Sequence, residues 1–465
     1  MALNRWLRWV VAAAALAALT AASSPGSRNV SATTRYIGSD HIVSWTPLPD
    51  EMGQICPMPE MTASFAQTRN RGADQRATPG VPSFSQPDRV IRDRYPSFSS
   101  IAVDLARDQV VVTDENLFQL LTCSRTENNG PNEVATPLRV VGAKWDDSLM
   151  SQSEESRTKI EFQCGIYIDP ANGDVYAVNN DTVDTLVIFS NEQVGNVAPA
   201  REVHTPHGTF GITVDEAEQE VFLTVQHDSA VVVYRKGASG EEPPVRMLQG
   251  DRTRLADPHG IALDPQRGVI YITNHGSVHS VSLDQVSTEQ RDEQSKVVNW
   301  PLERDFAIPG SGRTLPPSIT VFAKDASGDA APLRVIEGPR TGLNWPTGIA
   351  VEPESGDIFV TNDTTDSILV FAAEAEGDVA PRRILEGPGT GLNNPTGLAL
   401  DLKNRELWVA NFGAHTATAY PLDAHGNATP LRTIRAAVKG TPSLMIGNPG
   451  SVTFDTNRGE LLTPN

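Results

Sequence analysis

Seven segments of the chain share one alternation of apolar and polar positions: an apolar strand, an acidic turn, then a second apolar strand. They read IAVDLARDQVVVTD from Ile101, IYIDPANGDVYAVN from Ile166, ITVDEAEQEVFLTV from Ile212 and IALDPQRGVIYITN from Ile261. The series continues as IAVEPESGDIFVTN from Ile349, LALDLKNRELWVAN from Leu398 and VTFDTNRGELLTPN from Val452. Each half is short, rich in β-branched and aromatic residues, and bounded by Asp, Asn, Gly or Pro. That pattern specifies a strand pair joined by a tight turn, not a helix. The two strands are designated a and b.

A third strand, c, follows in most units: LFQLL from Leu117, TLVIF from Thr185, AVVVY from Ala230, SITVF from Ser318, SILVF from Ser367 and ATAY from Ala417. A fourth, d, carries Pro, any residue, Arg and then mostly apolar positions, at Pro137, Pro199, Pro244, Pro332, Pro381 and Pro430. One four-stranded unit cannot bury its own apolar faces and must stack on its neighbours. The expected fold is therefore all-β, a seven-bladed β-propeller with four-stranded blades. Strand d occurs once less often than strand a, and Pro87-Asp88-Arg89-Val90-Ile91 fits its signature upstream of the first unit. The last blade is thus expected to be closed by N- and C-terminal strands together, which leaves no open sheet edge. Pro82–Ser85 and Ile42–Trp45 are both candidates for its strand c.

Outside the repeats, Arg5 and Arg8 precede an apolar run from Val10 to Leu19, followed by the small residues Thr20, Ala21, Ala22 and Ser23. This is the pattern of a secretory signal, so residues 1–22 are expected to be a signal peptide. Residues 23–80 read as an N-terminal extension and linker, and residues 81–465 as the propeller, with an insertion at 278–317 between strands b and c of the fourth unit. Residues 143–161 lengthen the connection after the first. No second apolar run has spanning length. The mature chain is expected to be exported, to the periplasm or beyond the cell, as a monomer without a membrane span.

The formal net charge of −19 becomes about −21 when Arg5 and Arg8 leave with the signal. Such a surface argues against nucleic acid and anionic membranes as partners. The chain has three cysteines, Cys56, Cys123 and Cys164. Cys123 and Cys164 fall at opposite ends of strands about 17 Å long. A disulfide requires α-carbons within about 7 Å, so these two are not expected to pair, whereas Cys56 could reach either.

Alternating strand direction puts the start of strand a, the end of strand b and the b–c and d–a loops on one face. Both insertions fall there, which makes it the expected working surface. The end of strand b supplies Asp114, Asn179, Asn274, Asn362 and Asn411, and the start of strand a supplies His259, Thr347, Thr396 and Cys164. The Asn positions read either as turn residues or as a ring of amides that could bind a ligand around the channel mouth. His259 and His275 flank adjacent strands of one blade. They read as structural, as imidazole ligands for zinc or copper with His207 or His227, or as catalytic acid–base groups. The acids Asp104, Asp169, Asp215, Asp264, Glu352, Asp401 and Asp455 are expected to cap the a–b turns. Arg139, Arg201, Arg246, Arg334, Arg383 and Arg432 are expected to serve as outer charges that discourage sheet pairing.

The segments Pro346-Thr347-Gly348-Ile349-Ala350-Val351 and Phe359-Val360-Thr361-Asn362, with the linkers around Gly377 and Gly387, resemble bacterial NHL-type propeller repeats, including the group with a YVTN-like strand. The resemblance covers roughly residues 86–465. It implies the fold specifically and the activity only broadly: members bind proteins, glycans or small molecules, and some related propellers are enzymes. Two functions follow as expectations. The first is a binding scaffold working through the loop face, which an aromatic patch around Trp300 and Trp345 would favour. The second is a metal-assisted propeller enzyme, similar in architecture to streptogramin B lyases or gluconolactonase-like hydrolases, with His259 and His275 at the channel mouth and His275 as base. A divalent cation is the one cofactor this reading calls for, and its ligands are left open.

Overall fold

The computed structural model describes residues 93–148, 151–180, 183–279, 311–443, 453–455 and 460–462. Among them are six four-stranded antiparallel sheets, each built from four strands in spatial order a-b-c-d. The inner strands are Phe98–Asp104, Gln163–Ile168, Thr209–Asp215, Pro258–Asp264, Pro346–Val351 and Pro395–Asp401. Each packs beside the inner strand of the next blade, and the sixth packs beside the first. The protein is a β-propeller of six blades, spanning Phe98 to Arg435.

The seventh repeat does not add a blade. Its strands Thr453–Asp455 and Glu460–Leu462 pair with each other as a two-stranded hairpin and with no other described strand, and they belong to a separate compact unit. The proposed N-terminal partner, Pro87–Ile91, lies outside the described residues, as do both candidates for strand c. The reason a seventh blade is excluded is that the ring already closes at six. Six apolar clusters fill the six junctions between blades. The closing one unites Phe98, Ile101, Val110 and Cys123 of the first blade with Trp408, Ala417 and Ile434 of the sixth.

The centre of the ring is stitched by side chains of strand b. Thr273 Oγ1 accepts the N–H of Gly260, in the inner strand of its own blade, at 2.8 Å and donates to Thr347 O of the next blade at 2.8 Å. Thr361 repeats the arrangement with Gly348 N–H and Thr396 O, and Thr224 with Gly211 N–H and His259 O. At the closing junction Thr396 Oγ1 donates to Ser99 O at 2.7 Å. Each inner strand bulges at its start, and in four blades a Thr hydroxyl of strand b bonds the backbone there: Thr113, Thr224, Thr273 and Thr361. The neighbouring backbone comes so close that a β-carbon on Gly348 would lie 2.7 Å from Thr396 O.

The outer rim uses a second device. Five times, strand d of one blade forms a parallel bridge to a glycine in the c–d loop of the next: Val141 with Gly195, Val203 with Gly240, Leu248 with Gly328, Ile336 with Gly377 and Leu385 with Gly426. Among the described residues no such bridge forms at the closing junction. There Asn128 and Asn129 accept the N–H groups of Thr433 and Arg435 through their side chains.

Five of the seven repeated acids, Asp104, Asp169, Asp215, Asp264 and Asp401, cap their turns as expected by accepting turn N–H groups; Glu352 accepts from the Ser355 hydroxyl, and the side chain of Asp455 lies outside the described residues. Some also join blades, since Lys236 reaches back to Asp169 at 2.7 Å and Lys324 to Asp215 at 2.6 Å. The strand-d arginines differ from expectation. They are packed as glue between blades, not displayed as edge charges. Arg201, Arg246, Arg383 and Arg432 each lie over an aromatic ring of strand b in their own blade. Arg201, Arg246 and Arg383 also donate to carbonyls of the next blade.

His415 fastens the two ends of the ring. Its Nδ1 donates to Pro96 O at 2.7 Å and its Nε2 to Pro442 O at 2.9 Å, with Asp93 Oδ2 at 2.8 Å. Carbonyls only accept, so both ring nitrogens carry protons and the ring is an imidazolium. Burial alone would push its pKa down, but Asp93, Pro442 and Pro96 hold it above the ordinary value. Nearby Asp114 is pushed up to about 7 by burial, against the pull of N–H groups from Ser97, Asn116 and Leu117.

Two outcomes are expected. Gly348→Ala forces two backbones apart and lowers stability by at least ~2 kcal/mol, read from denaturant unfolding; an unchanged midpoint contradicts the close approach. The His415 contribution is full below its unfolded pKa near 6.5 and is lost as pH rises through the higher folded value. The raised Asp114 acts in the same direction, losing its contribution between its ordinary range and about 7. Thermal melts should therefore show the melting temperature falling from pH 6 to 8. His415→Ala should lower stability by about 3 kcal/mol at pH 6 and flatten that fall. An equally steep fall in the variant contradicts the assignment.

Candidate functional site

The channel through the ring is lined by all six inner strands, among them Cys164, Phe210, Thr347 and Thr396. Two sets of side chains sit at its mouth. One comes from the residue before the tight glycine or serine of each inner strand: Ser99, Cys164, Phe210, His259, Thr347 and Thr396. The other follows the last residue of each strand b: Glu115, Asn180, Gln226, His275, Asp363 and Phe412.

The expected amide ring is turned inward. Asn179, Asn274, Asn362, Asn411 and Asp114 are all buried. Each accepts, through Oδ1, an N–H of the preceding d–a loop: Glu161, Ala256, Asn344, Asn393 and Ser97 respectively. The Asn amide groups donate to Thr185, Thr320, Thr365 and Thr418 hydroxyls. These residues set the height of each d–a loop, and their side chains are used within the blade. Thr347 and Thr396 remain at the channel, with Thr396 engaged in the closing stitch.

His259 and His275 do meet. Strands Pro258–Asp264 and Val269–Asn274 pair antiparallel, with a bulge between Pro258 and Ile261. That irregularity brings the two rings face to face, with centroids 3.3 Å apart and planes 25° apart. Asp257, in the left-handed region at φ 54°, completes the group. Its carbonyl accepts His275 N–H at 3.1 Å and His259 Nδ1–H at 3.0 Å. Its carboxylate lies 3.7 Å from His259 Nδ1 and 3.8 Å from His275 Nδ1. The three residues form a group able to hold a metal ion.

Hydrogen bonding assigns the tautomers. With Nδ1 of His259 donating, its Nε2 accepts from the Gln226 amide at 2.6 Å. Gln226 is itself held by Asn180. Thr347 donates its hydroxyl proton to Trp345 O, so its oxygen accepts from His275 Nε2–H at 3.4 Å. The lone pair of His275 Nδ1 is then left buried with no hydrogen-bond partner. Both rings are neutral: burial pushes His259 below its ordinary value against the pull of Asp257, while burial and then His259 push His275 well below its own.

Aromatic rings flank the pair. Phe210 lies 4.2 Å from His259, and Trp345 lies 4.2 Å from His275 on the other side. Trp345 is 46% exposed, so the row running through the third, fourth and fifth blades ends in an indole open to solvent. Trp300 lies outside the described residues. His207 and His227, weighed as further ligands, instead neighbour each other at 5.1 Å, with His207 bonded to Asp184. Elsewhere at the mouth, burial raises Glu115 to about 8 and Asp363 to about 6. Cys164 Sγ lies 3.6 Å from Glu115 Oε1. Cys123 and Cys164 are not bonded to each other, and Cys56 lies outside the described residues.

Sequence reasoning missed Asp257, Gln226 and Glu115. A usable signal existed for the last two. The residue just after each strand b is polar in five of six blades, and that position faces the mouth. Asp257 carries no such periodic mark.

No protein-family model matches the chain, and no curated protein matches it. Among solved structures, Kuenenia stuttgartiensis hydrazine synthase is similar with a TM-score of 0.44 and 11% identity, over 82% of this chain and 98% of that one. That likeness carries nothing about activity. Among the described residues, no helix is long and apolar enough to cross a membrane.

The buried role of the Asn positions is testable. Asn274→Ala leaves the N–H of Ala256 and the hydroxyl of Thr320 without their bonds, and should cost about 1–3 kcal/mol in chemical unfolding. Unchanged stability would contradict this placement.

Proposed function

We propose that the protein is an exported propeller that binds a partner through the face carrying the b–c and d–a loops, centred on the channel mouth. The observation that carries this reading is the aromatic row ending in exposed Trp345. A half-exposed indole, backed by His275 and held at φ 59°, offers a rigid apolar face next to polar groups. Binding sites for glycans, peptides and small molecules share that combination. The b–c insertion supports the reading by its position, because its ends pair as a ribbon, Ser277–His279 with Ser311–Thr314, at the mouth of the fourth blade. The resemblance to NHL-type repeats fits the same role.

A second reading, a metal-assisted lyase or lactonase-like hydrolase, is favoured by the meeting of His259, His275 and Asp257. In it those three side chains hold the assisting ion, so the Nδ1 lone pair of His275 is spent on the ion and the base must come from elsewhere at the mouth.

The binding reading is tested with a panel of soluble cell-envelope oligosaccharides and peptides, titrated against the full chain by calorimetry. Trp345→Ala should weaken any ligand bound by the wild type at least tenfold, about 1.4 kcal/mol, with the melting temperature little changed. Ligands that bind the variant as tightly as the wild type would place the working surface elsewhere.

A further inference from the structure

We infer that Asp257, His259 and His275 form a three-ligand site for a divalent transition metal ion of the zinc or copper class. The site lies on the face described above, but the inference rests on metal binding alone, whether or not a partner docks there.

The argument starts with the donor set. Two imidazoles and one carboxylate suit zinc and copper better than calcium or magnesium, which take oxygen ligands. Geometry comes next. Both Nδ1 atoms face the same carboxylate, at 3.7 and 3.8 Å. Ligand atoms about 2.0–2.2 Å from a tetrahedral ion lie about 3.4 Å from one another; the three donors here lie within 4.8 Å of one another, so closing on an ion draws them together by about 1.4 Å at most and turns the stacked rings toward it. The backbone holds the three residues in place through His275 N–H to Asp257 O and Gly276 N–H to Ala256 O.

The second observation is independent of spacing. The side chain of His275 is 1% exposed, and its Nδ1 has no hydrogen-bond partner. A buried acceptor without a partner costs about 1–3 kcal/mol. Its other nitrogen is anchored to Thr347, which is the arrangement metal-ligating histidines use to fix their tautomer. His259 has the matching outer contact in Gln226. When an ion takes His259 Nδ1, the proton there moves to Nε2, the bond to Asp257 O is given up, and the Gln226 amide turns over to present its oxygen, which exchanges the bond it accepts from Asn180 for one from His259. The carboxylate offsets one of the two charges of the ion. A fourth position is left for water or a ligand, the composition of an open site rather than a closed structural one.

The test uses the chelator-treated full chain and two ions alone, zinc by calorimetry and cobalt by absorption. The expected result is one tightly bound ion per chain, with cobalt giving the visible bands of a four-coordinate site. Affinity should fall at least a hundredfold in His275→Gln and at least tenfold in Asp257→Asn. In His204→Ala, a change at a histidine distant in sequence, it should be unchanged. Because His275 is buried, circular dichroism and a thermal melt accompany each variant, and Asp257→Asn, at a less buried position, serves if His275→Gln does not fold. Gln226→Glu, which offers His259 Nε2–H a permanent acceptor, should keep or tighten binding. Absence of binding by the wild type, or wild-type affinity in both ligand variants, overturns the inference while leaving the Trp345 test untouched.

Discussion

The close approach of six inner strands around one axis is the constraint on which the rest of this protein depends. Backbone meets backbone there, so the facing position is Gly in five blades and Ser100 in the remaining one. The bulge that makes room for a strand-b hydroxyl also sets which way the preceding side chain points. Close packing of the centre and presentation of side chains at the mouth are therefore one feature. A hydrogen bond in the stitch is worth only about 1 kcal/mol net. The polar groups it satisfies are buried, however, and losing any partner would leave an orphan at the point where all blades meet.

Closure distinguishes two kinds of junction. Five rim junctions repeat one solution, a strand-d bridge to a glycine. The sixth must join chain segments far apart in sequence, and it does so with different chemistry: Asn128 and Asn129 at the rim, and charged His415 gripping residues before the first blade and after the last. The repeated junctions combine apolar clusters with hydrogen bonds and, in places, Lys–Asp ion pairs, whereas the closing one adds a protonated histidine. Resistance to neutral and alkaline pH is thus set at the seam.

Strand identity, blade composition and the turn-capping acids were legible in the sequence because each has a short period and a local cause. The blade count was not. A seventh copy of the a–b motif exists at Val452, but an apolar hairpin reports only that two strands pair, not what they stack against. Whether Ile434 meets Trp408 and Phe98 directly is a long-range packing fact with no local mark. The strand-d arginines were misjudged for a related reason, since their partners are aromatic rings on strand b and carbonyls of the next blade. At the site, adjacency of His259 and His275 followed from strand pairing. Asp257 did not, because its contribution depends on a left-handed backbone residue within an irregular loop. The Asn positions illustrate the opposite case, in which a conspicuous polar repeat turned out to hold loops from beneath.

The measurement that tests this account most directly is a crystal structure of the full chain grown with zinc, with anomalous differences collected at the zinc edge. The account predicts six blades, with the first and sixth in contact, and one strong peak about 2.0–2.2 Å from His259 Nδ1, His275 Nδ1 and an Asp257 oxygen. A seventh blade between Arg435 and Phe98, or a map with zinc bound only elsewhere, would contradict it.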